Sequence, residues 1–176
     1  LLEAEHDALE VGRTLLGKQT PCLGRENEIR TLCDVLDEAI GDPAARTALV
    51  TGAAGLGKSR VVSELGRVAR ARDVDVWVGR GDPMSAGAPY ALAGRALRRA
   101  ARVLDAEPMA AQHQKLVARL SRRLRGSDLA RTGEFLGEMA GIRDEASESV
   151  ELAAARRDPQ LLGDQITRAW LDLFRA

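Results

Sequence analysis

Aromatic side chains are scarce in this 176-residue sequence: one tyrosine, two phenylalanines and two tryptophans, 3% of the chain. A surface that grips single-stranded nucleic acid by stacking bases on rings has too little to build from. Cysteine is scarcer still. Cys22 and Cys33 show neither a redox C-x-x-C spacing nor metal-ligand company, a usage that fits a reducing cytoplasm. No apolar run approaches the ~20 residues needed to cross a bilayer, and the acidic opening Leu1-Leu2-Glu3-Ala4-Glu5 is unlike a signal peptide, so no membrane partner is expected. An initiating Met is missing too, which predicts a piece of a longer chain. His6 and His113 lie far apart, neither beside a group that would make it a base or a ligand. No Ser/His/Asp grouping or zinc spacing occurs.

Charge of one sign is also lacking: 26 basic residues balance 26 acidic ones. No global field draws the protein toward nucleic acid or an anionic membrane, so partners must be recognised locally. Lysine itself is rare, with Lys18, Lys58 and Lys115 the only three. Lys58 stands in T-G-A-A-G-L-G-K-S, which meets the pattern G-x-x-x-x-G-K-[ST] at every defined position. Glycines let a backbone turn so tightly that successive N–H groups point at phosphate oxygens, and a helix starting there adds its positive dipole end. The stretch Gly52, Ala53, Ala54, Gly55, Leu56, Gly57, Lys58, Ser59 and Arg60 is therefore the predicted cradle of a nucleoside triphosphate. Lys58 would reach the β- and γ-phosphates and is the candidate catalytic residue; Ser59 would ligate Mg²⁺.

The motif needs a strand before it and a helix after it. Residues 46–51 read R-T-A-L-V-T, a β-prone run after the turn signal Gly41-Asp42-Pro43. Residues 58–72 carry Val61, Val62, Leu65, Val68 and Ala69 at helical spacing. Upstream, 1–16 reads as a weak linker helix followed by a turn at 17–21. A stronger helix is predicted over 25–40, with Ile29, Leu32, Cys33, Leu36 and Ile40 on one face and Cys33 in the core. Alternation in V-D-V-W-V at 74–78 predicts a second strand. Beyond a turn-rich loop at 79–89 the chain reads as helices over 90–104, 109–125, about 127–140 with Ser127 as cap, 148–156, and a last one opened by Asp158 and Pro159. Leu162, Ile166, Ala169, Trp170 and Leu173 line one side of that last helix.

Two other groupings have ordinary readings. Arg95, Arg98, Arg99, Arg102, Lys115, Arg119, Arg122, Arg123 and Arg125 could face a phosphate backbone. A solvated helix surface, or pairing with Asp128, Glu134, Glu138, Asp144, Glu145 and Glu148, accounts for them without nucleic acid. Asp82 before Pro83 could ligate a metal after a strand, but Asp before Pro is the ordinary turn initiator.

The box C-L-G-R-E-N-E-I at 22–29, followed by L-V-T-G-A-A-G-L-G-K-S-R at 49–60, resembles bacterial ATPase domains of the signal-transduction NTPase group, relatives of the AAA+ and origin-recognition ATPases. In that group the Gly-Arg-Glu box contacts adenine. The resemblance implies Leu23, Gly24 and Arg25 at the base, with Cys22 where an aromatic or aliphatic residue is commoner, and ATP with Mg²⁺ as the cofactors. The stretches at 79–90 and 155–165 resemble a branch in which such an ATPase follows a serine/threonine kinase and precedes helical repeats, so the partners implied are the nucleotide and the rest of the polypeptide. No kinase signature occurs in this chain.

Together these readings predict an α/β fold: a P-loop NTPase with a truncated parallel sheet and a mostly helical C-terminal half, residues 1–20 a linker helix and 21–176 the N-terminal part of the ATPase domain. The family's acidic strand, which helps hold Mg²⁺ and polarise water, is expected beyond the chain end, as are two strands between those at 46–51 and 74–78. The expected function is an Mg²⁺-nucleotide binding module acting as a conformational switch, hydrolysing ATP barely by itself. A small-molecule phosphotransferase and a nucleotide-stabilised interaction module are the alternatives.

Overall fold

The computed structural model describes residues 14–15, 18–19, 22–42, 44–82, 84, 87–143 and 148–176. They fall into two compact units, Leu1–Val76 and Trp77–Ala176.

In the first unit, β1 (Thr14–Leu15) pairs antiparallel with β2 (Lys18–Gln19), Thr14 opposite Gln19. That replaces the end of the linker helix expected over 1–16; residues 1–13 lie outside the described residues. Helix α1 (Glu26–Gly41) follows, with Glu26 and Glu28 in its first turn where the helix dipole favours negative charge. Helix α2 (Lys58–Ala71) packs against it. Leu32 of α1 and Val61 and Ala69 of α2 are buried, and Arg72 closes the pair by an ion pair to Asp37. Cys33, expected in the core, is only half-buried, and Ile40 and Val62 are exposed.

The predicted truncated parallel sheet of an α/β fold is absent: the described residues are helical, and their only sheet is the two-residue β1–β2 ladder. Neither 46–51 nor 74–78 forms a strand. Alternating apolar residues make a strand only where a neighbouring segment completes the ladder and covers a face. Neither segment has such a neighbour among the described residues, and Leu49 is 86% exposed. Residues 73–74 instead finish α2. Asp73 turns left-handed at φ +58°, so that its N–H reaches Arg70 O and that of Val74 reaches Ala69 O.

Among the described residues the second unit has five helices: α3 (Ala91–Ala100), α4 (Met109–Leu120), α5 (Gly126–Ala140), α6 (Val150–Ala155) and α7 (Pro159–Arg175). Helix α5 is the hub, packed against α3, α4 and α7. Its Phe135 and Leu136 are fully buried among Leu97, Leu116, Leu120, Ile142 and Leu173. The predicted 90–104 helix stops short because Arg102 turns left-handed at φ +55°, bonding Val103 N–H back to Arg98 O and burying Val103. Ser127 is not the cap of α5, which begins one residue earlier after Arg125. Helix α7 starts as expected, with Asp158 accepting from the N–H groups of Gln160 and Leu161 and Pro159 in the first turn. Ser149 caps α6 through Leu152 N–H and donates its own hydroxyl to Glu134. Trp77 meets Trp170 edge-on at 5.7 Å, Phe174 stacks on Trp170, and the Arg119 guanidinium sits 5.1 Å over Trp77.

Candidate nucleotide-binding site

The glycine-rich motif forms the entry to α2. Gly55 and Gly57 stand at φ +82° and +83°, a conformation in which L side chains are strained, while a Cβ at either position would meet nothing within 4 Å. These glycines are required by backbone direction rather than by crowding. Gly57 caps α2 with no side chain to accept from the first-turn amides; its carbonyl takes the N–H groups of Arg60 and Val61. By helix geometry the amides of Lys58 and Ser59 have no acceptor within the helix. No acidic residue lies in that turn, and Lys58 and Arg60 add positive charge. The result is a solvent-facing, electropositive helix end behind a left-handed glycine loop, which fits a polyphosphate.

Lys58 folds back over the loop. Its Nζ donates to Gly52 O and Ala53 O, each at 2.8 Å. Ser59, one residue into the helix, is exposed. Among the described residues no three His, Cys, Asp or Glu side chains gather as a metal site.

Of the upstream box, the structure brings Arg25 to the loop. One guanidinium nitrogen donates to Leu56 O at 3.2 Å, the other to Glu28 Oε1 at 2.7 Å. Leu23 is 79% exposed, and Gly24 turns left-handed at φ +73° with its N–H on Glu26 Oε1. The hydrogen bond from Arg25 holds the Glu28 carboxyl below its usual range. Glu26 is lowered too, by its own backbone N–H and then by that of Gly24. Sequence reasoning missed Glu28, although its three-residue spacing from Arg25 at a helix start was the available signal.

The other groupings resolve as structure. Asp82 accepts from Met84 N–H and pairs with Arg95, a turn anchor. Arg98 pairs with Asp105 and Lys115 with Glu107, local partners outside the acidic stretch that was the alternative to a solvated surface; Arg143 and Arg156 take Glu138. Asp144, Glu145 and His6 lie outside the described residues. No helix among the described residues is long and apolar enough to cross a membrane.

No curated protein and no solved structure matches the chain. Residues 21–173, a span that contains the Arg25 box, the glycine-rich motif and helices α1 to α7 but for the last two residues of α7, match the AAA ATPase domain. The chain belongs to that nucleotide-binding family.

Proposed function

We propose that the protein is the ATP- and Mg²⁺-binding module of a multidomain bacterial regulatory ATPase of the signal-transduction group, working in the cytoplasm, with nucleotide state as its conformational switch. One observation carries this reading: a helix start with no side-chain cap and no acidic residue, fronted by left-handed Gly55 and Gly57, with the Lys58 ammonium already over the loop. On binding, Lys58 would exchange two neutral carbonyls for anionic phosphate oxygens, so that both partners of its hydrogen bonds carry charge. The loop residues from Gly52 to Arg60 would line the phosphates, and Ser59 Oγ would hold Mg²⁺. The metal supplies neutralisation of phosphate charge. Leu23 and Gly24 flank the base end, and Arg25 reaches from beside them to the loop at Leu56 O. The partners are the nucleotide and further domains of the same polypeptide, a kinase and helical repeats.

Titration with a fluorescent ATP analogue and Mg²⁺ tests the site. Lys58→Ala is expected to weaken binding at least tenfold, the loss of a charged hydrogen-bonding partner being about 1.5–3 kcal/mol. Unchanged affinity in that variant overturns the assignment.

A further inference from the structure

We infer that Arg25 is a positioning residue for the phosphate loop: anchored on Glu28, its guanidinium holds the Leu56 carbonyl and thereby aims the Gly57 amide. The inference rests on the nucleotide-binding reading above and adds a device that sets the loop's shape before any ligand arrives.

A trans peptide joins Leu56 to Gly57. A trans peptide is planar, so its C=O and N–H point in opposite directions. Whatever fixes Leu56 O therefore fixes Gly57 N–H, which follows in the same rigid plane. Arg25 donates to Leu56 O across 31 positions of sequence, and its second nitrogen is held by Glu28 one helical turn into α1. A planar guanidinium with both ends engaged cannot swing freely, so the Leu56 carbonyl is tied to the start of α1. Lys58 holds the Gly52 and Ala53 carbonyls, so two cations brace the loop at its first and last peptide groups. Arg25 thus organises the loop through its backbone, with no contact to phosphate required. Its side chain is 39% exposed, which keeps the expected effect modest.

The experiment compares wild type, Arg25→Ala and Glu28→Gln binding to Mg²⁺–ATP and to Mg²⁺–tripolyphosphate, which has no base. It adds the amide resonance of Gly57 in each unliganded protein. We expect Arg25→Ala to weaken both ligands by the same factor, about fivefold for one partly exposed charged hydrogen bond. Glu28→Gln should weaken both in the same sense by about twofold. The Gly57 resonance should move while those of Val68 and Ala69, at the far end of α2, stay in place, which separates a local effect from misfolding. If Arg25→Ala weakens ATP alone, leaving tripolyphosphate affinity and the Gly57 resonance unchanged, the side chain serves the base and the inference is overturned with nucleotide binding intact. A wild-type protein that binds neither ligand removes the parent reading itself, and the inference with it.

Discussion

At the scale of residues, the loop is governed by two cations and one carboxylate. Lys58 and Arg25 spend their hydrogen bonds on backbone carbonyls, and Glu28 holds Arg25 in place. Because the Arg25 bond lowers the Glu28 pKa below the usual 4.5, the native state favours the charged carboxylate. The bridge is therefore complete above 4.5, persists as pH falls past it, and is lost only as pH drops through the lowered native value. In Arg25→Ala the Glu28 titration should move upward toward 4.5, followed by the carboxyl carbon resonance; no movement would show that another group sets it. Lys58 and the glycines were legible in the sequence because loop chemistry demands those residue types at fixed spacing. The Arg25 contact with Leu56 was not, since nothing local in a sequence records which carbonyl lies beside a side chain 31 positions away.

Helices and strands separate sharply at the scale of elements. The start of α7 could be read from Asp158 and Pro159 because an N-cap is satisfied within three residues. Helix ends were harder to read. Those of α2, α3 and α5 share one bonding pattern, built on Asp73, Arg102 and Gly141 in left-handed turns, and only the last is the expected glycine. The two strands failed for a reason of the opposite kind: a strand is a relation to a neighbour, and the β-prone run at 46–51 and the alternation at 74–78 state only half of it. Close packing around α5 gives a test at this scale. A Cβ on Gly137 would lie 2.6 Å from Ile142 O, a backbone atom that cannot step aside, whereas one on Gly133 would meet only Leu120 Cδ1 at 3.8 Å. Gly137→Ala should cost about 1–3 kcal/mol through overpacking. Gly133→Ala should be neutral or stabilise by up to about 1 kcal/mol through helix propensity. Thermal unfolding of both variants measures the difference, and equal costs would contradict the packing of α5.

Across the whole molecule, chemistry and bulk are divided. The residues proposed for nucleotide lie in Leu1–Val76, while the large hydrophobic cluster lies in Trp77–Ala176. A ligand that binds only folded protein stabilises it by mass action, about 2.7 kcal/mol at one hundred times its Kd. Hydrogen exchange measured with saturating Mg²⁺–ATP should therefore slow most at 52–60 and the first turn of α2. Protection confined to α3–α7 would place the ligand elsewhere.

The aromatic cluster has a spectroscopic consequence. All five Trp, Tyr and Phe residues stand at position 77 or later, so the first unit carries none of them. Its proposed nucleotide loop is optically dark. Both indoles of the chain sit 5.7 Å apart, with Trp170 Nε1 on the Met139 sulfur, close enough for their transitions to couple. Near-ultraviolet dichroism and tryptophan emission thus report the helical unit alone, and a dye on the nucleotide can be read against a silent background.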